Sequence, residues 1–118
     1  MIEEILSSEE FKKFLIDSLS GDLVKRAVNH AGAYLISKLY PQLKEQKQVK
    51  KHYVNLFQSI ASKAIKHQGF ALKKIVEGKI AEFVLTYKLD EDLAREIALI
   101  AVKTAQHLKK LNFKIIID

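Results

Sequence analysis

The sequence predicts an all-α protein: a compact bundle of about five helices with a short extended C-terminal tail. Three observations carry this. Apolar residues recur at i, i+3, i+4 and i+7 along most of the chain, the period of a helix with one buried face. Four glycines and one proline leave few breaks in 118 residues, so the elements are long. Hydroxyl and acidic residues stand where helix N-termini are expected, and the connections are short enough for antiparallel hairpins. A composition 48% hydrophobic and 29% charged is that of a folded chain, and residues 1–118 read as one domain with one core.

The elements follow in order. Ser7 or Ser8, followed by Glu9 and Glu10, opens a helix, and Ser7-x-x-Glu10 matches a capping box. That helix is expected to reach about Leu19 and to stop at Ser20-Gly21. Asp22 caps the second, LVKRAVNHAGAYLISKLY, which Pro41 ends. The third begins near Pro41, or later near Gln48, and continues to about His67, with Gly69 as its stop. FALKKIVEGKIAEFVLTYK is the fourth. Asp90 caps the fifth, EDLAREIALIAVKTAQHLKKL, and Asn112 ends it. Residues 112–118 are the tail, because three isoleucines in FKIIID favour extended backbone. Its two readings are packing onto the bundle and pairing as an edge with a symmetry mate or partner chain.

At 100° per residue the third helix places Val49, Tyr53, Leu56, Phe57, Ile60 and Ala64 on one arc. The fifth places Leu93, Ile97, Ile100, Thr104, Leu108 and Leu111 on its main stripe, beside a strip of Ala94, Ala98, Ala101 and Ala105. Leu99 and Val102 project to its polar side. With Ile115, Ile116 and Ile117 of the tail they are the candidate oligomer contacts. On the fourth helix Leu72, Val76, Ile80, Phe83 and Tyr87 form the apolar face, which Lys79 interrupts. Either the Lys79 methylenes pack while its ammonium reaches water, or the lysine is buried and paired or catalytic. Gly78 beside it disfavours regular helix and invites a kink. Gly32, between Ala31 and Ala33, reads as a site of close helix packing.

Several functions have no sequence support. There is no cysteine, so disulfides and thiolate chemistry are excluded. His30, His52, His67 and His107 show no i, i+3 or i+4 pairing, and no metal or cofactor is expected. The scattered glycines form no phosphate loop, and Ser37, Ser59 and Ser62 lack a nucleophile context. No apolar run approaches the ~20 residues of a membrane span. The acidic start MIEEILSSEEF has no signal-peptide pattern. The expectation is a cytoplasmic non-enzyme.

What remains is charge. The net charge is +6, and residues 38–79 alone carry ten lysines against Glu45 and Glu77, a local +8. Lys44, Lys47, Lys51, Lys63, Lys66, Lys73 and Lys74 form the candidate basic face, with Lys66, His67, Lys73 and Lys74 expected to converge at a hairpin tip. Eighteen of the twenty cations are lysine, a point charge rather than a bidentate fork, which suits phosphates better than base edges. A genome that favours lysine accounts for the same bias. Tyr53 and Phe57 belong to the apolar arc, so the basic face has no aromatic platform. In size and class alone the chain is similar to small helical subunits of nucleoprotein assemblies, such as those of CRISPR effector complexes. The expected function is sequence-nonspecific binding to the DNA or RNA backbone, alone or as such a subunit. The alternative is a self-associating structural or protein-interaction module, a homo-oligomer with no nucleic-acid role.

Overall fold

The chain enters a short first helix, α1 (Ile2–Leu6), and breaks at Ser7 and Ser8. The structure, a computed structural model, describes the backbone of residues 2–11, 13 and 23–117 and the side-chain surroundings of residues 4–11, 13 and 30–110. Ser8 is the residue that caps: its Oγ accepts from the Phe11 N–H at 3.1 Å and donates to the Ile5 carbonyl at 2.8 Å. It closes α1 and opens the next helical segment, seen at residues 9–11 and 13. Five residues are too few to show a period, which is why α1 escapes the sequence reading. The expected stop at Ser20-Gly21 and the Asp22 cap lie outside the described residues.

The second long element, α2 (Leu23–Leu39), ends where Pro41 requires it to, and Pro41–Leu43 form one 3-10 turn. The next helix, α3 (Lys47–Lys66), takes the later of the two expected starts. Its end differs in detail from expectation. His67 and Gln68 are already extended, and Gly69, at φ +64°, is the first residue of α4 (Gly69–Tyr87) rather than the stop of α3. Lys88 ends α4 in the left-handed region at φ 54° and ψ 46°. Asp90 then caps α5 (Glu91–Ile117): its Oδ2 accepts from the Leu93 N–H at 2.9 Å.

The extended C-terminal tail is corrected at the level of the backbone, because α5 runs through Asn112 to Ile117. No described residue forms a strand, so an extended FKIIID would have no edge to join. Continuing the helix satisfies its backbone groups instead. Asn112 costs only a few tenths of a kcal/mol in a helix, too little to stop one on its own.

The helix α3 is the hub. It packs against α2, α4 and α5, and its contact with α5 is the most extensive among the described elements. The arc expected to face inward does so: Tyr53, Leu56, Phe57, Ile60 and Ala64 are buried, and Val49 is half-buried. On α5, Ile97, Ile100 and Leu108 are buried with all four alanines of the predicted strip. Alanines at such a contact let two helix axes approach to the short end of the usual ~8–10 Å range. Thr104, the buried polar residue of this face, donates its hydroxyl to the Ile100 carbonyl at 2.8 Å and so leaves no donor unpaired.

Two glycines in helices have opposite surroundings. Gly32 of α2 is buried against α3, where an added Cβ would lie 2.8 Å from Phe57 Cδ1. Gly78 sits mid-way along α4, exposed, with nothing within 4 Å of the place a Cβ would occupy. The helix passes through Gly78 without interruption. Glycine at such a position costs about 1 kcal/mol relative to alanine, and no contact within the described residues requires it.

Candidate nucleic-acid interface

The basic face begins at the turn before α3. Leu43 is buried and its neighbours are locked by turn hydrogen bonds, Leu43 N–H to Tyr40 O at 3.0 Å and Lys44 N–H to Pro41 O at 3.1 Å. This anchoring sets Lys44 beside the first turns of α3. There Lys44, Lys47, Lys50 and Lys51 line one shallow depression with Val54 at its floor. Positions 47, 50, 51 and 54 are i, i+3, i+4 and i+7, so a helix brings them to one side. Lys50, which the candidate face omits, is fixed here by donating to Ser37 Oγ of α2 at 2.7 Å.

From Lys51 the polar side of α3 continues through Asn55 and Ser62 to Lys66, all exposed. The whole of α3 contains no acidic residue. At ~1.5 Å per residue, Lys47 and Lys66 stand about 28 Å apart along the helix. Lys63 and Lys66 occupy its last turn, where cations also complement the helix dipole. Ion pairs elsewhere join Lys38 to Glu10 at 3.6 Å, Lys79 to Glu82 at 3.5 Å, and Arg95 to Glu77 and Glu91 at 3.0 and 3.2 Å. None of the seven candidate lysines forms an ion pair among the described residues.

The convergence expected at the hairpin tip is only partial. Lys66, His67, Lys73 and Lys74 are all exposed near the α3–α4 turn. Adjacent residues on a helix leave it about 100° apart, however, and Lys73 and Lys74 go different ways. Lys73 borders the groove between α4 and α5, while Lys74 holds its ammonium 5.4 Å from the Phe70 ring centre. Tyr53 and Phe57 are buried, as their arc implies, so neither ring reaches the basic face.

Other candidates resolve plainly. Lys79 is half-exposed and pairs with Glu82, one turn on, so its stem packs while its ammonium is solvated. His52 stacks on Tyr87, rings 3.9 Å apart and 16° from parallel. Among the described residues no three His, Cys, Asp or Glu side chains group as metal ligands, and no helix is long and apolar enough to cross a membrane. Leu99 is exposed and Val102 half-buried, and both line the α4–α5 groove with Leu72, Val76 and Ile80. The side chains of Ile115, Ile116 and Ile117 lie outside the described ones.

The sequence reading overlooks Phe70 and Leu85. They are 73% and 84% exposed and stand on the side of α4 turned away from Leu72 and Ile80. A wheel of α4 shows them opposite its core arc. A second apolar arc on one helix is the available signal, since a helix apolar all round is normally enclosed. No family model, curated protein or solved structure matches the chain.

Proposed function

We propose that the chain is a non-enzymatic, sequence-nonspecific nucleic-acid-binding protein that holds backbone phosphates along α3, alone or as a small subunit of a nucleoprotein assembly. One observation carries the reading: the exposed side of α3 offers unpaired lysines, an amide and a hydroxyl, with no acid anywhere on the helix. Lysine, asparagine and serine are the donors that phosphates accept from, and they position a nucleic acid without reading its bases. With no arginine on α3, and with Tyr53 and Phe57 buried, bidentate base contacts and stacking on those two rings are not expected from α3.

The test is a salt series with single- and double-stranded DNA and RNA. Each phosphate contact contributes a slope of about −0.9 to log K against log salt on B-DNA. Lys47→Glu with Lys51→Glu is expected to make that slope shallower by about two and to weaken binding to every sequence alike. Lys13→Glu with Lys110→Glu changes the net charge equally at exposed residues outside α3 and is expected to weaken binding far less. An absence of binding at low salt, or equal losses in both pairs, refutes the reading.

A further inference from the structure

The side of α4 that faces away from the core carries the two most exposed large apolar side chains among the described residues. It exposes Phe70 and Leu85, and between them stand Ala71, Lys74, Gly78, Ala81 and Glu82, all exposed. We propose that this face binds a second copy of itself, with α4 packed antiparallel on α4 about a two-fold axis at Gly78.

The argument is the arithmetic of symmetry. In an antiparallel pair centred on residue 78, residue 78 − n comes level with residue 78 + n of the second copy. Four residues either side of Gly78 are Lys74 and Glu82, so each cation comes level with the other copy's anion. Three residues either side are Ile75 and Ala81, and seven either side are Ala71 and Leu85, so a large apolar side chain meets a small one each time. Phe70 lies one residue from the level of the second copy's Leu85 and on the same flank, where the two most exposed large apolar side chains among the described residues cover each other. At the axis Gly78 meets Gly78, which gives the exposed mid-helix glycine a function the single chain does not supply. Charge and bulk are thus both inverted across Gly78, the complementarity that a face needs toward itself.

Other partners fit less well. A parallel pairing would set Lys74 against Lys74 and Glu82 against Glu82. An unrelated helix would have no reason to match the inversion about Gly78. Glu82 is already held by Lys79 of its own helix at 3.5 Å, yet its side chain is 59% exposed and keeps room for a second cation. The inference stands apart from the nucleic-acid reading, because the α3 lysines that test that reading take no part in it.

The experiment is sedimentation equilibrium on the full chain over a concentration series. The wild type is expected to dimerise. Lys74→Glu and Glu82→Lys, each of which brings like charges level twice, are expected to raise the dimer Kd by about tenfold or more. The double swap Lys74→Glu with Glu82→Lys is expected to restore it. Gly78→Gln is expected to separate the copies while circular dichroism shows undiminished helix. A monomeric wild type, or a dimer indifferent to the swaps, overturns the proposal. The second outcome points instead to the Leu99 groove or the C-terminal end of α5.

Discussion

Phe57→Ala is expected to lower the unfolding free energy by about 3–5 kcal/mol, measured by urea or thermal denaturation. Phe57 is fully buried at the middle of α3, the helix that every long helix touches, so its cavity opens where the surroundings are least free to collapse. Domains of this size have roughly 5–15 kcal/mol in total, so the loss is a large fraction of the whole. The partner of this ring is an absence, the missing side chain of Gly32. Gly32→Ala puts a Cβ 2.8 Å from Phe57 Cδ1, closer than carbon atoms approach without displacement. Overpacking of this kind costs about 1–3 kcal/mol, against which alanine returns about 1 kcal/mol of helix propensity. Gly32→Ala is therefore expected to be destabilising in the wild type and less so, or even favourable, in a Phe57→Leu background. That reversal is the coupling a double-mutant cycle detects. A Gly32→Ala protein more stable than wild type contradicts the close approach of α2 to α3.

The same pair of helices shows what a sequence can and cannot carry. The arcs of α3 and α5 are legible because burial repeats every 3.6 residues, and the Asp90 cap because its side chain acts on its own neighbours. Gly69 is legible as punctuation but not as to side: glycine marks a break between two helices without saying which of them takes the residue. FKIIID misleads for a different reason. Its propensity is local, whereas a strand needs a partner edge that only the fold can provide. The lysines divide because their grouping along the chain ignores the 100° turn between Lys73 and Lys74. The outer arc of α4 is present in the sequence, yet a wheel shows two apolar sides without saying which one the core takes.

Two tyrosines with buried hydroxyls are expected to respond oppositely to loss of the oxygen. Tyr53, 2% exposed on α3, accepts a hydrogen bond from the Asp90 N–H at 3.0 Å, and so ties the hub to the first turn of α5. Tyr53→Phe leaves that N–H without its partner and is expected to cost about 1 kcal/mol. Asp90→Ala removes the side-chain cap at the same junction, for about 0.5–2 kcal/mol. The two act through different atoms of Asp90, its N–H and its carboxylate, so their losses are expected to add. Tyr40 differs. Its hydroxyl is buried with no hydrogen-bond partner among the described residues, although the Glu96 carboxylate is near enough to act on it. Tyr40→Phe is expected to hold stability or raise it by about 1 kcal/mol, since an unsatisfied buried group is removed.

Alkaline pH acts on both in the same direction. Burial, and after it Glu96, pushes the Tyr40 pKa above the usual 10.0, and burial raises Tyr53 against the lowering effect of the Asp90 N–H. A folded pKa above the unfolded one means that the native state holds the proton longer. The stability from these groups is complete below pH ~10 and is lost as pH rises through the folded values. Unfolding midpoints should therefore fall above pH ~10, and Tyr40→Phe should make that fall shallower. An unchanged alkaline limb in Tyr40→Phe would show that the phenol reaches water in the native state.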